Sequence, residues 1–210
     1  LENQRDKRLR FLVRQLNRIR HIQAKKIDIL CNDLIGAQKD CIKLLGRLGF
    51  VVDAYEVLMG LTDKSAALET AAELIRPAVC APNVWFLLLE QNNLRVHSYD
   101  SDPRLAVDAK PLTDCFTMAM VQRICASNKV CLAEDLPALG LDSNPAVFDK
   151  ICLAVIPLAI GSLPLGLILV YRPAGSEFTA AELQKITAMT PGLARIIRYC
   201  QVQPAAVGSA

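Results

Sequence analysis

Apolar side chains recur along the first quarter of the chain at steps of three and four. Leu9, Leu12, Leu16 and Ile19 form one run; Ile27, Leu30, Leu34, Ala37, Cys41, Leu44, Leu48, Val51, Tyr55 and Leu58 form a second. An extra step of four through Gln23 joins them, a stutter that locally unwinds a left-handed supercoil. The other faces carry charge, with Arg8, Arg10, Arg14, Arg18, Lys25, Asp33, Lys39 and Lys43. A stripe this long, with no partner inside its own helix, predicts a coiled coil between chains. The alternative is a helix that packs back on its own domain. Gly46 and Gly49 each cost about 1 kcal/mol relative to Ala in a helix interior. They read as a break or hinge below the stalk, although the heptad passes through them and leaves a continuous helix open.

Beyond residue 61 the pattern changes period several times. Thr62 or Asp63 is placed to cap a helix over 65–75, with Pro77 and Pro82 marking its end. Residues 84–90 (VWFLLLE) and 94–99 read as two strands joined by a turn at Gln91-Asn92-Asn93. Residues 100–111 are polar loop. A helix starting at Thr113 or Asp114 runs to about 126, 130–133 form a short strand, and 134–144 are loop or short helix. Thr179, with Glu182 three residues on, makes a capping box for a final helix to about 201. Pro191 should kink or split that helix near Ala188.

The stretch 151–172, ICLAVIPLAIGSLPLGLILVYR, has no charge before Arg172. Its length alone fits a membrane-spanning helix. Its punctuation does not: Pro157, Gly161, Pro164 and Gly166 weaken a helix, and its Ile and Val residues favour strands. Turn chemistry at 161–164 gives two strands, 152–158 and 165–171, the second apolar on both faces like a covered central strand. The resulting order is an α+β sandwich, an antiparallel sheet with helices on both faces, preceded by a long N-terminal coiled-coil helix.

Composition narrows the class. With 210 residues and an apolar fraction of 52%, one ordinary domain plus an appendage can bury a substantial core. The net charge of +3 does not call for a nucleic-acid partner, although nine Lys or Arg stand against one Asp between Arg5 and Lys26. That arm reads as a solvated helix face. Eight cysteines without a C-x-x-C pair match no zinc pattern and read as reduced thiols of a cytoplasmic protein. No signal peptide leads the chain, and the tail is expected to fray.

The hairpin also carries a family resemblance. Ala154-Val155-Ile156-Pro157-Leu158-Ala159-Ile160-Gly161, then Leu165-Gly166-Leu167-Ile168-Leu169-Val170, resembles the end of a GAF domain. The Phe178-Thr179-Ala180-Ala181-Glu182 helix start that follows fits the same pattern. The likeness extends over about 53–200. Less specifically, the chain is similar to a bacterial family built as a coiled coil plus a GAF domain. The expected organisation is a coiled-coil helix over 1–48, a GAF domain over 49–202 and a flexible tail over 203–210.

The resemblance implies a ligand pocket between the sheet and the segment covering one face, here about 100–144. Trp85, Tyr99, Cys115, Phe116, Met118 and Met120 are then the candidate ligand-binding residues, or else they simply fill the core. Asn128-Lys129 and Phe148-Asp149 echo a cyclic-nucleotide motif, but its acidic pair is missing. No Cys is followed by His, as bilin attachment requires. A haem would need an axial His, and only His21 and His97 exist. The GAF-fold methionine sulfoxide reductases place a nucleophilic Cys in the loop here spanning 134–150, which has none. No catalytic residue, metal site or cofactor is identified, and Asp100, Asp102 and Asp108 read as loop solvation. Cys41, on the seam, faces its copy in a parallel dimer.

The expectation is therefore a sensory or regulatory GAF module that is not an enzyme. It binds a small ligand and signals as a homodimer through its N-terminal helix, without nucleic acid and without a membrane span. A ligand-free GAF dimerisation or docking module is the alternative.

Overall fold

A computed structural model describes residues 2–81, 83–91, 93–100, 114–141 and 148–202. The chain divides into two compact units, Leu1–Gly49 and Phe50–Ala210.

The first unit lies in helix α1 (Glu2–Met59), which is helical throughout, Gly46 and Gly49 included. The expected break is not there. A Cβ built at either glycine meets nothing within 4 Å, so no neighbour forces a bend. The side chains of the apolar stripe from Leu9 to Leu48 are exposed, Leu30 and Leu34 at 67% and 70%. The stripe has no cover within its own unit. Its last members differ. Leu58, and Ala54 beside it, are fully buried in the core of the second unit, where they belong to the domain and not to a seam.

The second unit is built on an antiparallel sheet of β1 (Asn83–Glu90), β2 (Asn93–Asp100), β3 (Cys131–Leu132), β4 (Ile151–Ile160) and β5 (Leu163–Pro173). Among the described residues its order is β2-β1-β5-β4-β3. The apolar run of 151–172 is thus the β4–β5 hairpin, turning at Gly161 and Ser162; Leu163 and Pro164, read as turn from sequence, pair with Ile160 and Ala159. Strand periodicity sends alternate side chains to opposite faces. Val84, Phe86, Leu88, Ile156, Ile168 and Val170 face α2 (Lys64–Val79) and α4 (Ala180–Val202). Trp85, Leu87, Leu153, Val155, Leu167 and Leu169 face α3 (Met118–Ser127) and the short 3-10 turns after β3. Both faces of β5 are buried, as its sequence requires.

The helix ends are fixed by their caps. Asp63 accepts from the Ala66 N–H at 2.8 Å. Thr179 and Glu182 close a capping box, with the Thr179 N–H donating to Glu182 Oε2 at 2.7 Å and the Glu182 N–H to Thr179 Oγ1 at 3.3 Å. Helix α3 begins later than its sequence suggests: Thr117 caps it, accepting from the Met120 N–H at 3.3 Å, while Phe116 is buried ahead of it. Helix α4 is not split at Pro191. Proline supplies no N–H to the carbonyl four residues back. The Thr190 hydroxyl takes that place, donating to the Thr187 carbonyl at 2.8 Å.

One buried cation ties these elements together. Arg172, 7% exposed, donates to Val79 O at 3.0 Å, to Ser176 O at 2.6 Å, to Glu177 O and to Glu182 Oε1 at 3.0 Å. Its guanidinium stacks 4.2 Å from the Phe178 ring centroid. It joins the end of α2, strand β5 and the start of α4. No helix among the described residues is long and apolar enough to cross a membrane.

Candidate functional site

The α3 side of the sheet assembles most of the residues singled out from sequence. Trp85, Phe116 and Met120 are buried there, and Cys115 packs against them half-buried. Met118, the first residue of α3, is half-buried and outside that cluster. Tyr99 lies elsewhere. It pairs with Val84 across the hairpin and packs on the α2 side, edge-to-face with Phe86 at 5.8 Å, its hydroxyl donating to Ser65 O at 3.5 Å. The strand period decides this: neighbours Trp85 and Val84 point to opposite faces, and Tyr99 follows Val84.

Two further residues complete the cluster. In the hairpin register Trp85 sits opposite Ser98, so Asp100 is its diagonal neighbour on the same face. On the other flank Trp85 sits opposite Leu169, which makes Tyr171 a diagonal neighbour as well. Asp100 Oδ1 accepts from Trp85 Nε1 at 2.6 Å and from the Tyr171 hydroxyl at 2.9 Å. The two rings meet edge-to-face at 5.5 Å. Asp100 was read from sequence as loop solvation. It is the last residue of β2 and anchors a buried Trp and a buried Tyr. Glu90 pairs with Asn93, so the hairpin is one residue tighter than the 91–93 turn read from sequence, which would have set Trp85 opposite Tyr99 and hidden the role of Asp100. Asp102, Asp108 and most of the expected cover, 101–113 and 142–144, lie outside the described residues.

Beneath the triad, α3 approaches the β4–β5 hairpin closely. The Cys125 thiol donates to Gly166 O at 3.1 Å. Gly166 has φ +149°, and a Cβ there would stand 2.0 Å from Leu87 O. Burial pushes the Cys125 thiol up, against the pull of its hydrogen bonds to Gly166 and Leu158. Burial also raises the Cys131 thiol, with Asp135 adding to it. Both are poorer nucleophiles than free cysteine.

Polar groups gather at another edge of the domain. Glu90 bonds Lys64 and lies 3.4 Å from Arg95 and 4.0 Å from His97. His97 Nε2 is buried there without a hydrogen-bond partner. Burial, then Lys64, lowers the His97 pKa, opposed by Glu90 and assisted by Arg95. Alongside lies a cavity of about 760 Å³ lined by Lys64, Glu90, Arg95, Arg198 and Cys200 among others. Among the described residues no three His, Cys, Asp or Glu side chains gather to hold a metal.

The architecture as a whole, a β2-β1-β5-β4-β3 sheet with α2 and α4 on one face and α3 on the other, recurs in solved structures. The fold is that of a GAF domain. The GAF domain of a phosphoenolpyruvate-protein phosphotransferase from Coxiella burnetii aligns over 77% of this chain and 98% of its own, with 12% identity and a TM-score of 0.57. A GAF domain/HD domain protein from Geobacter sulfurreducens covers 69% and 97% respectively, at 15% identity and TM-score 0.54. The GAF domain of the cyanobacteriochrome TePixJ covers 69% and 94%, at 16% identity and TM-score 0.54. No family model and no curated protein matches the sequence. On this GAF scaffold, the Trp85–Asp100–Tyr171 triad sits where β1, β2 and β5 meet on the α3 face.

Proposed function

We propose that this chain is a sensory or regulatory module, a GAF domain that binds a small ligand on the α3 face and signals through a dimer of α1. The observation that carries the ligand reading is the Asp100 carboxylate. One oxygen is held by two ring donors, which fixes its direction, while its second oxygen has no partner among the described residues. A preorganised acceptor beside an aromatic and aliphatic layer suits a small, largely apolar molecule presenting an N–H or O–H donor. Similar solved structures include the GAF domain of a sensor histidine kinase from Pseudomonas syringae and part of a methyl-accepting chemotaxis protein, which favours the same class.

The output would run through α1. Its exposed stripe is the self-complementary seam a dimer requires. A ligand that prefers one arrangement of the α3 face biases the domain, and α1, whose last turns are part of the domain core, carries that bias. Rotation or bending is expected at the Gln23 stutter and at Gly46 and Gly49. Gly46→Ala plus Gly49→Ala adds methyls that meet nothing, so a signalling change in that variant isolates helix flexibility.

A second reading, a ligand-free GAF docking module, is favoured by the burial of Trp85, Phe116 and Met120 to 3% exposure or less. Native mass spectrometry separates the two. A dimer with a reproducible added mass, lost on denaturation and absent from Asp100→Ala, supports the sensor. A dimer without added mass supports docking. A monomer overturns the coiled-coil output in both.

A further inference from the structure

The amino-terminal part of α1 is charged unlike the rest of the chain. Residues 7–27 contain eight Lys or Arg and no Asp or Glu. Residues 1–26 hold nine cations against two carboxylates, a net of +7; the whole chain is +3, so residues 27–210 are net −4. The whole segment is helical, and its side chains from Gln4 on are exposed.

The cations are not spread evenly around the helix. At 100° per residue Lys7, Arg14, Arg18 and Lys25 fall on one face, turned away from the Leu9-Leu12-Leu16-Ile19 seam. Two large apolar side chains, Phe11 and Ile22, lie on the same face and are 61% and 47% exposed. The stripe from Lys7 to Lys25 is about 27 Å long at 1.5 Å per residue. A dimer through the seam would leave it uncovered in both copies.

We propose that this stripe docks the protein on an anionic lipid surface, with α1 lying along the membrane plane. The Lys and Arg heads would meet lipid phosphates and carboxylates, and Phe11 and Ile22 would enter the boundary between headgroups and acyl chains. Nucleic acid would satisfy the cations equally well through its phosphates. A duplex meets such a stripe with its charged backbone and would have to be unstacked to receive Phe11 and Ile22, whereas a lipid boundary takes them directly, and that pair favours lipid. The inference does not depend on the seam, because the stripe is on the other side of the helix.

The test is sedimentation of the full chain with phosphatidylcholine vesicles, with and without about 30 mol% phosphatidylserine, in low salt. Binding to the anionic vesicles alone, released by about 0.5 M NaCl, is expected. Arg14→Glu/Arg18→Glu/Lys25→Glu should weaken it by about tenfold or more, since each cation contributes near the surface. Phe11→Ser/Ile22→Ser should also weaken vesicle binding, while Arg20→Glu, on the far side of the helix, should have a much smaller effect. Circular dichroism checks that each variant keeps its helix. Failure to bind anionic vesicles overturns the proposal, as does vesicle binding unchanged in the Arg/Lys or the Phe/Ile variant. Salt-sensitive binding of a DNA duplex by a chain that ignores vesicles overturns it in favour of nucleic acid.

Discussion

Arg172 on β5 and Glu182 on α4 meet at 3.0 Å, with the Arg172 guanidinium stacked on Phe178. Arg172 is 7% exposed and its other donors are spent on three backbone carbonyls, so the pair holds the α2, β5 and α4 ends in one place. Arg172→Ala should destabilise the domain by about 3 kcal/mol, because it leaves Glu182 with only its Thr179 hydrogen bonds and removes those to the Val79, Ser176 and Glu177 carbonyls. Arg172→Lys cannot fork to the same acceptors and should recover only part of that. Urea denaturation followed by circular dichroism measures both.

Glu182 gives that pair a pH signature. Burial opposes its ionisation, yet hydrogen bonds from the Thr179 N–H, Arg172 and the Thr179 hydroxyl hold its pKa below the usual value. A carboxyl depressed on folding contributes stability that is complete above its unfolded pKa and lost as pH falls through the folded one. The denaturation midpoint of the wild type should therefore drop below about pH 4.5, and Glu182→Gln should remove this component of the drop.

The second acid-sensitive group works higher. His97 is lowered by burial and by Lys64 and Arg95, with only Glu90 pulling the other way. Its unfolded form takes a proton first as pH falls below about 6.5, so the folded state loses stability there. Wild-type protein should be measurably less stable at pH 5.5 than at pH 7.5. His97→Gln should flatten that step and leave the lower one intact.

Gly166 is where the sheet tolerates no side chain. At φ +149° with Leu87 O in the path of any Cβ, Gly166→Ala combines backbone strain with overlap against an immovable carbonyl. A loss on the order of 3 kcal/mol is expected. Cys125→Ala removes only the thiol that caps the Gly166 carbonyl and should cost about 1 kcal/mol beyond its lost packing. A Gly166→Ala protein that melts with the wild type would refute this account of the β1–β5 contact.

Cys41 tests the proposed dimer. It is exposed and lies on the apolar stripe of α1 proposed as the dimer seam, whereas Cys31, also exposed, lies off it. Mild oxidation should give a covalent dimer that is lost in Cys41→Ser and kept in Cys31→Ser. Cys125 and Cys131, buried and raised in pKa, should react with thiol reagents only after unfolding.

The sequence spoke most clearly where one physical signal dominated. Helix-weakening Pro and Gly residues, β-branched side chains and turn chemistry at 161–164 pointed to the β4–β5 hairpin, and the Thr179/Glu182 spacing to the start of α4. Local signals misled where a neighbouring residue changed the outcome. Pro191 would end a helix were it not for the Thr190 hydroxyl. Asp114 looked like the cap of α3, but Thr117 holds that place, with Phe116 buried ahead of it. In the site, Trp85, Phe116 and Met120 were legible as large apolar residues near the expected cover. Tyr99 was misplaced because only the register tells which face a strand residue takes. Asp100 is exposed, as its sequence reading had it; what was missed is that it ends β2 and accepts from two ring donors, which again only the register shows.

The placement of α4 has a consequence for the nascent chain. Strands β4 and β5 present apolar faces on both sides, and one of those faces is closed by α4, which is synthesised after both. Closure of that face must therefore wait for α4, and a chain released without residues 180–202 should be a chaperone client or an aggregate.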